Sequence, residues 1–135
     1  TYSGHPVSCA VALKTLEIYE RDKVFQHAKK AGEYFQNSIK EILKEDFVGE
    51  VRGIGLIAGI ELYKDPSNKI PFEEAGKAGK ILSDTCQKNG LIVRPILDTI
   101  ALCPPLIISE KEIDELTDKL KKSLQEAKDE IMKIH

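Results

Sequence analysis

Residues 48–62, VGEVRGIGLIAGIEL, limit what this chain can fold into more than any other stretch. They form its most apolar segment, they lack a helical repeat, and they carry Gly49, Gly53, Gly55 and Gly59. Gly53-Ile-Gly55-Leu-Ile-Ala58 formally fits the GxGxxG/A dinucleotide fingerprint. That fingerprint works only where a helix opens at the glycines and turns its free amides toward a pyrophosphate. Here Ile60-Glu61-Leu62-Tyr63 comes next, and Lys64-Asp65-Pro66 stops the segment, so the helix has no room. The pattern predicts buried strand instead, a short piece near 48–52 and a longer one over 56–63. Its glycines would mark bends or close backbone approaches.

Helical patterns bracket this segment. Pro6 suits the first position of a helix, where its missing N–H would be unpaired anyway. Val7, Ala10, Val11, Leu13 and Leu16 come after it at helical spacing. Charges gather over 17–23, where that helix should end or bend. A second helix is predicted over 24–43, with the stripe Val24, Ala28, Ala31, Phe35, Ile39 and Ile42. A third is predicted over 72–88, with Ala75, Ala78, Ile81, Leu82 and Cys86 on one side and Asn89-Gly90 as its stop. Strands are predicted at 91–94 and 99–102 around a turn at 95–98, with a short extra edge at 106–108. Ser109 and Glu112 form a capping box for the last helix. Its stripe is Ile113, Leu116, Leu120, Leu124, Ala127 and Ile131, and the tail after Met132 is expected to fray.

This order predicts an α+β fold, a small antiparallel or mixed sheet of roughly 3–4 strands with helices on one face. The first helix is the odd one out. Residues 1–23 read as a turn plus a linking, interdomain helix, and residues 24–135 as the compact small domain. The 135 residues, 41% hydrophobic and 31% charged, suit one globular domain. A net charge of −2 gives no electrostatic case for nucleic acid or an anionic membrane. No apolar run approaches the roughly 18 residues of a membrane span. Cys9, Cys86 and Cys103 are odd in number and widely spaced, so free thiols in a reducing, cytoplasmic setting are expected. His5, His27 and His135 stand at no metal-ligand spacing, and no metal site is expected. The chain opens on Thr1, which suggests a piece of a longer protein.

Two places could carry chemistry. Arg94 ends an apolar run before Pro95, and a guanidinium held there could grip a carboxylate with two parallel hydrogen bonds. On spacing alone the plainer reading is a surface arginine paired with Asp98 or Glu61. Thr1-Tyr2-Ser3-Gly4-His5-Pro6 gathers hydroxyls and amides before a helix, which suits either a phosphate or a plain cap from Ser3 or His5. His5 has no identifiable nucleophile or orienting carboxylate. Cys103 beside Pro104 has no argued source of a lowered pKa. Arg52 and Glu61 read as structural ion-pair members. On these residues alone, a stand-alone ligand-binding or regulatory module, with Arg94 holding an anionic metabolite, stays open, as does a purely structural packing or dimerisation unit.

The order TYSGHP, then a helix, then VRGIGLIAGIEL, then GLIVRP and DTIALCPPLIIS with EID after it, closely resembles the C-terminal part of class III pyridoxal-phosphate aminotransferases. The TYSGHP motif resembles the pyruvate-dependent omega-transaminase branch. The resemblance implies the small C-terminal domain of a PLP transferase and a homodimeric parent enzyme. That enzyme would move an amino group from an amine or omega-amino acid to a keto acid, such as pyruvate. It implies that Thr1 reaches the cofactor phosphate of the neighbouring subunit and that Arg94 binds the substrate carboxylate. Ser3, Gly4 and His5 would shape the phosphate turn, and residues 52–56 would be structural. The family's Schiff-base lysine has no matching motif here, so the chain alone is expected to be inactive and to hold no PLP. A glycine is common in relatives where Ile96-Leu97 stands, which bears on how Arg94 is posed.

Overall fold

The computed structural model describes residues 3–134, apart from the side chain of Leu43. Four α-helices and four strands run in the order α1 (Pro6–Arg21), α2 (Val24–Lys40), β1 (Val48–Ile54), β2 (Ile57–Leu62), α3 (Lys77–Lys88), β3 (Arg94–Ile96), β4 (Thr99–Leu102) and α4 (Glu110–Ile131). A short 3₁₀ turn, Glu41–Lys44, extends α2 toward β1. The strands form one antiparallel sheet in the order β1-β2-β4-β3. The fold is α+β, as the pattern requires.

The glycine-rich segment is the β1–β2 hairpin. Ile54 pairs with Ile57 across a turn at Gly55 and Leu56. Gly55 has φ +55, the left-handed backbone that glycine adopts without cost. The helix α2 closes on this hairpin. A Cβ at Gly32 would lie 2.7 Å from Gly55 Cα, and Gln36 donates from Nε2 to the carbonyls of Gly55 and Ile57 at 2.8 and 3.1 Å. The glycines therefore serve a turn and a helix–sheet contact.

Period-two alternation builds the core. Ala58, Ile60 and Leu62 of β2 and Ile100 and Leu102 of β4 are buried beneath the helices. Phe35 and Ile39 of α2, Leu82 and Cys86 of α3, and Ile113, Leu120, Leu124 and Ile131 of α4 meet them, all with essentially no exposed surface. The stripes predicted for α2 and α4 bury as expected, with Ala28 and Leu116 partly covered at their margins. The capping box is formed, with Ser109 Oγ accepting from Glu112 N–H and Glu112 Oε2 accepting from Ser109 N–H at 2.8 Å. The Leu91 N–H returns to Cys86 O at 2.9 Å across Gly90, the expected glycine stop of α3.

Several boundaries differ from the sequence expectation. Residues 91–93 are not strand, so Arg94 opens β3 rather than closing a strand. The turn narrows to Leu97 and Asp98, because Ile96 still pairs with Thr99. The predicted edge at 106–108 is a turn, with Ile108 N–H bonded to Pro105 O at 3.0 Å. Helix α3 starts at Lys77 because Gly76, φ +85, breaks any earlier turn. The tail does not fray at Met132, since Ile134 is buried. The largest difference is α1. Its helix forms and ends at Arg21, ahead of Lys23 in the left-handed conformation that opens α2, but none of its residues is buried.

Candidate functional site

The helices cover one face of the sheet and leave the other open. Strand register sets out that open face in rows. Arg52 pairs with Gly59, Gly59 with Ala101, and Ala101 with Arg94, so the two arginines end one row with small residues between them. Three strand spacings of roughly 4.8 Å separate their backbones by about 14 Å. The adjacent row runs Glu50, Glu61, Thr99, Ile96. Arg94 therefore sits at the edge strand, exposed, on the face the helices do not use.

The two carboxylates that could have neutralised Arg94 are engaged elsewhere. Glu61 takes an ion pair from Arg52 Nη1 and a hydrogen bond from Tyr63 Oη at 2.7 Å. The tyrosine bond first, and then the arginine, hold the Glu61 carboxyl below its usual range, while Glu61 raises both Tyr63 and Arg52. Glu50 stands 3.7 Å from Arg52 and 3.6 Å from Lys69 and completes the cluster. Asp98 is turned to α3, where Oδ2 accepts from Gly76 N–H at 2.8 Å and Oδ1 from Gly79 N–H at 3.0 Å. Among the described residues Arg94 makes no ion pair, whereas Arg52 is the structural partner expected of it. A free, planar guanidinium on an open sheet face is chemically fitted to a carboxylate.

Thr1 lies outside the described residues, and so does its expected phosphate contact. The turn just after it is visible. Gly4 has φ +72, and a Cβ there would meet nothing within 4 Å. His5 occupies the N-cap position of α1 without a side-chain hydrogen bond, so neither Ser3 nor His5 acts as the simple cap. The helical ladder begins with Cys9 N–H to His5 O at 3.0 Å, which leaves the Val7 and Ser8 amides outside it. No acidic residue stands in the first turn. This donor set fits an anionic group such as a phosphate.

The remaining candidates settle into structural roles. Cys86 is buried, and burial pushes its thiol pKa up, which makes it a poor nucleophile. Cys9 and Cys103 are free and exposed. His27 shares a 2.8 Å hydrogen bond with Ile108 O. Among the described residues no group of three or more His, Cys, Asp or Glu could hold a metal. Two grooves of about 580 and 570 Å³ border the β1–β2 turn and the α1–α2 junction, and neither is lined by Arg94. The sequence offers Asp98 as a partner for Arg94, and its bond to the N-terminus of α3 is what local pattern does not show. Its place within the 95–98 turn suggests a loop position, and only the fold brings α3 to it.

Comparison with known proteins covers nearly the whole chain. Residues 1–124 match the family model described as aminotransferase class-III. The chain is 38% identical over 134 residues to probable gamma-aminobutyrate transaminase 3, mitochondrial, of Oryza sativa subsp. indica, covering 99% of this chain and 26% of that protein. It is 42% identical over 116 residues to gamma-aminobutyrate transaminase 1, mitochondrial, of the same plant, covering 86% of this chain and 22% of that one. Among solved structures, a transaminase with L-alanine superposes with a TM-score of 0.92 at 39% identity, covering 97% of this chain and 30% of that chain. A thermostable omega transaminase mutant from Pseudomonas jessenii gives 0.91 at 34%, covering 96% and 29%. The chain thus spans about a quarter of the length of these curated relatives.

Proposed function

We propose that this chain, which belongs to the class III aminotransferase family, supplies the substrate-carboxylate site of a pyridoxal-phosphate-dependent transaminase. The observation that carries the proposal is Arg94, an exposed guanidinium with its neighbouring carboxylates already engaged, on the open face of the sheet. The whole protein would transfer an amino group from an amine or omega-amino acid to a keto acid. Pyruvate is the acceptor we favour, from the TYSGHP motif. The small domain is residues 24–135, and residues 1–23 carry the phosphate turn and the helix that links it to the rest.

The open turn at Gly4 and the unladdered amides of Val7 and Ser8 would hold the cofactor phosphate, with Thr1 adding its hydroxyl from the neighbouring subunit of a homodimer. Pyridoxal phosphate, when bound, supplies the electron sink that lets the amino group leave and return. Arg94 performs the work assigned to this chain. It binds the carboxylate of an amino acid or keto acid and fixes the distance of the reacting carbon from the rest of the site. Because its side chain is exposed and unpaired, it can swing aside for donors without a carboxylate. The three free cysteines suit a reducing compartment such as the cytoplasm.

The test is an amino-transfer assay with an amine donor and pyruvate. The whole protein carrying this chain should turn over only with PLP, and the isolated 135 residues should not turn over at all. Failure of the whole protein with every keto acid tried, pyruvate and 2-oxoglutarate included, overturns the proposal.

A further inference from the structure

The hairpin that carries Arg94 is fastened at its tip to a helix it does not pair with. Gly76 stands at the N-cap of helix α3 and has no side chain to cap the first turn. Asp98 caps it from 22 residues away, one carboxylate oxygen on the Gly76 amide and the other on the Gly79 amide. The Asp98 carbonyl in turn accepts the Leu62 N–H of the central strand at 2.9 Å. The backbones also touch, since a Cβ at Gly79 would lie 2.0 Å from Leu97 O.

Between these anchors Leu97 sits at φ +52. A non-glycine residue in that region is strained and persists only where its surroundings hold it there. The Asp98 fastening and the Gly79 contact are what hold it. Three residues earlier the same hairpin presents Arg94, in register with Ala101.

We propose that Asp98 is the positioning residue for Arg94. It locks the β3–β4 hairpin against the N-terminus of α3, and the same bonds withhold from Arg94 the one carboxylate carried by that hairpin. The guanidinium is thereby set at a fixed place on the open face and kept free for the substrate. This rests on the carboxylate role of Arg94 proposed above. Leu97 closes the turn but does not itself aim the arginine.

The experiment uses the whole transaminase and separates keto-acid effects from amine effects. Asp98→Ala should raise KM for pyruvate about tenfold, the scale of a small misplacement of a binding group. The KM of an amine donor without a carboxylate should stay within about twofold. Asp98→Asn keeps one acceptor of two and should fall between wild type and Asp98→Ala, and it serves alone if the alanine variant does not fold. In an Arg94→Ala background, either Asp98 variant should add less than about twofold to the pyruvate KM. Leu97→Gly, which keeps the fastening and relieves the strain, should melt higher and leave the pyruvate KM within about twofold. An effect of Asp98 equal for pyruvate and amine, a full additional loss in the Arg94→Ala background, or no effect of either Asp98 variant overturns the positioning role while leaving Arg94 in place. An Arg94→Ala enzyme with an unchanged pyruvate KM overturns both.

Discussion

Helices α1 and α2 are neighbours of almost equal length, 16 and 17 residues, and they live in opposite environments. Helix α2 buries Val24, Ala31, Gly32, Phe35 and Ile39. Helix α1 buries nothing, and leaves Val7 at 66%, Val11 at 60%, Leu13 at 69% and Leu16 at 56% exposure. At 3.6 residues per turn, Val7 and Val11 fall on one side of α1 and Leu13 and Leu16 on another. A helix apolar on more than one side is made for burial on more than one side. The comparison teaches that an apolar stripe specifies a helix but not whether its partner lies in the same chain. It also agrees with the proposal that α1 links the phosphate turn to the rest of a larger transaminase.

Breaking the α2 side should have the largest effect. Phe35→Ala removes a fully buried ring and should cost about 3–5 kcal/mol in urea unfolding of the isolated chain. A loss below about 1 kcal/mol would mean that α2 is not the core helix it looks like. Next, Gly32→Ala puts a methyl group 2.7 Å from Gly55 Cα and should cost about 1–3 kcal/mol by forcing α2 off the β1–β2 hairpin.

Acid should loosen the carboxylate cluster on the open face of the sheet. The Glu61 carboxyl is held below its ordinary value of 4.5 by Tyr63 and Arg52. A carboxylate lowered in the folded state contributes stability that is present above that ordinary value and is lost as pH falls through the folded one. Wild type should therefore lose melting temperature below about pH 4.5 more steeply than Glu61→Gln. Parallel curves would show that the cluster stores no such stability.

The smallest effect is expected on α1. Leu13→Ser and Leu16→Ser should each move the stability of the isolated chain by no more than about 0.5 kcal/mol, as for exposed sites. The same changes should lower the melting temperature of the whole protein, where α1 would be covered. Equal, small shifts in both would contradict the linking role.

The parts of the molecule legible in the sequence are those governed by local pattern. The stripes of α2 and α4, the Ser109–Glu112 box and the glycine stop of α3 depend on residues within a turn or two of each other. The glycine segment could be told from a nucleotide loop because Ile60 to Pro66 leave no length for a helix after it, but its hairpin turn at Gly55 was not marked apart from its other glycines. Arg94 and its chemistry were legible, yet whether Asp98 or Glu61 would neutralise it was not. That depends on where Arg52, Tyr63 and the N-terminus of α3 lie in space, which no local spacing encodes. The start of β3 at Arg94 was missed for a related reason, since residues 91–93 read as apolar strand but form the connection from α3 to β3, with Leu91 and Val93 half-buried and Ile92 exposed.

The carboxylate role of Arg94 is the claim on which the functional account turns, and steady-state kinetics of Arg94→Ala in the whole protein tests it most directly. The account predicts a pyruvate KM raised about 10- to 100-fold, the equivalent of about 1.5–3 kcal/mol for a charged hydrogen-bonded pair, with the KM of a carboxylate-free amine donor unchanged. Equal increases for both substrates, or none for pyruvate, would contradict it.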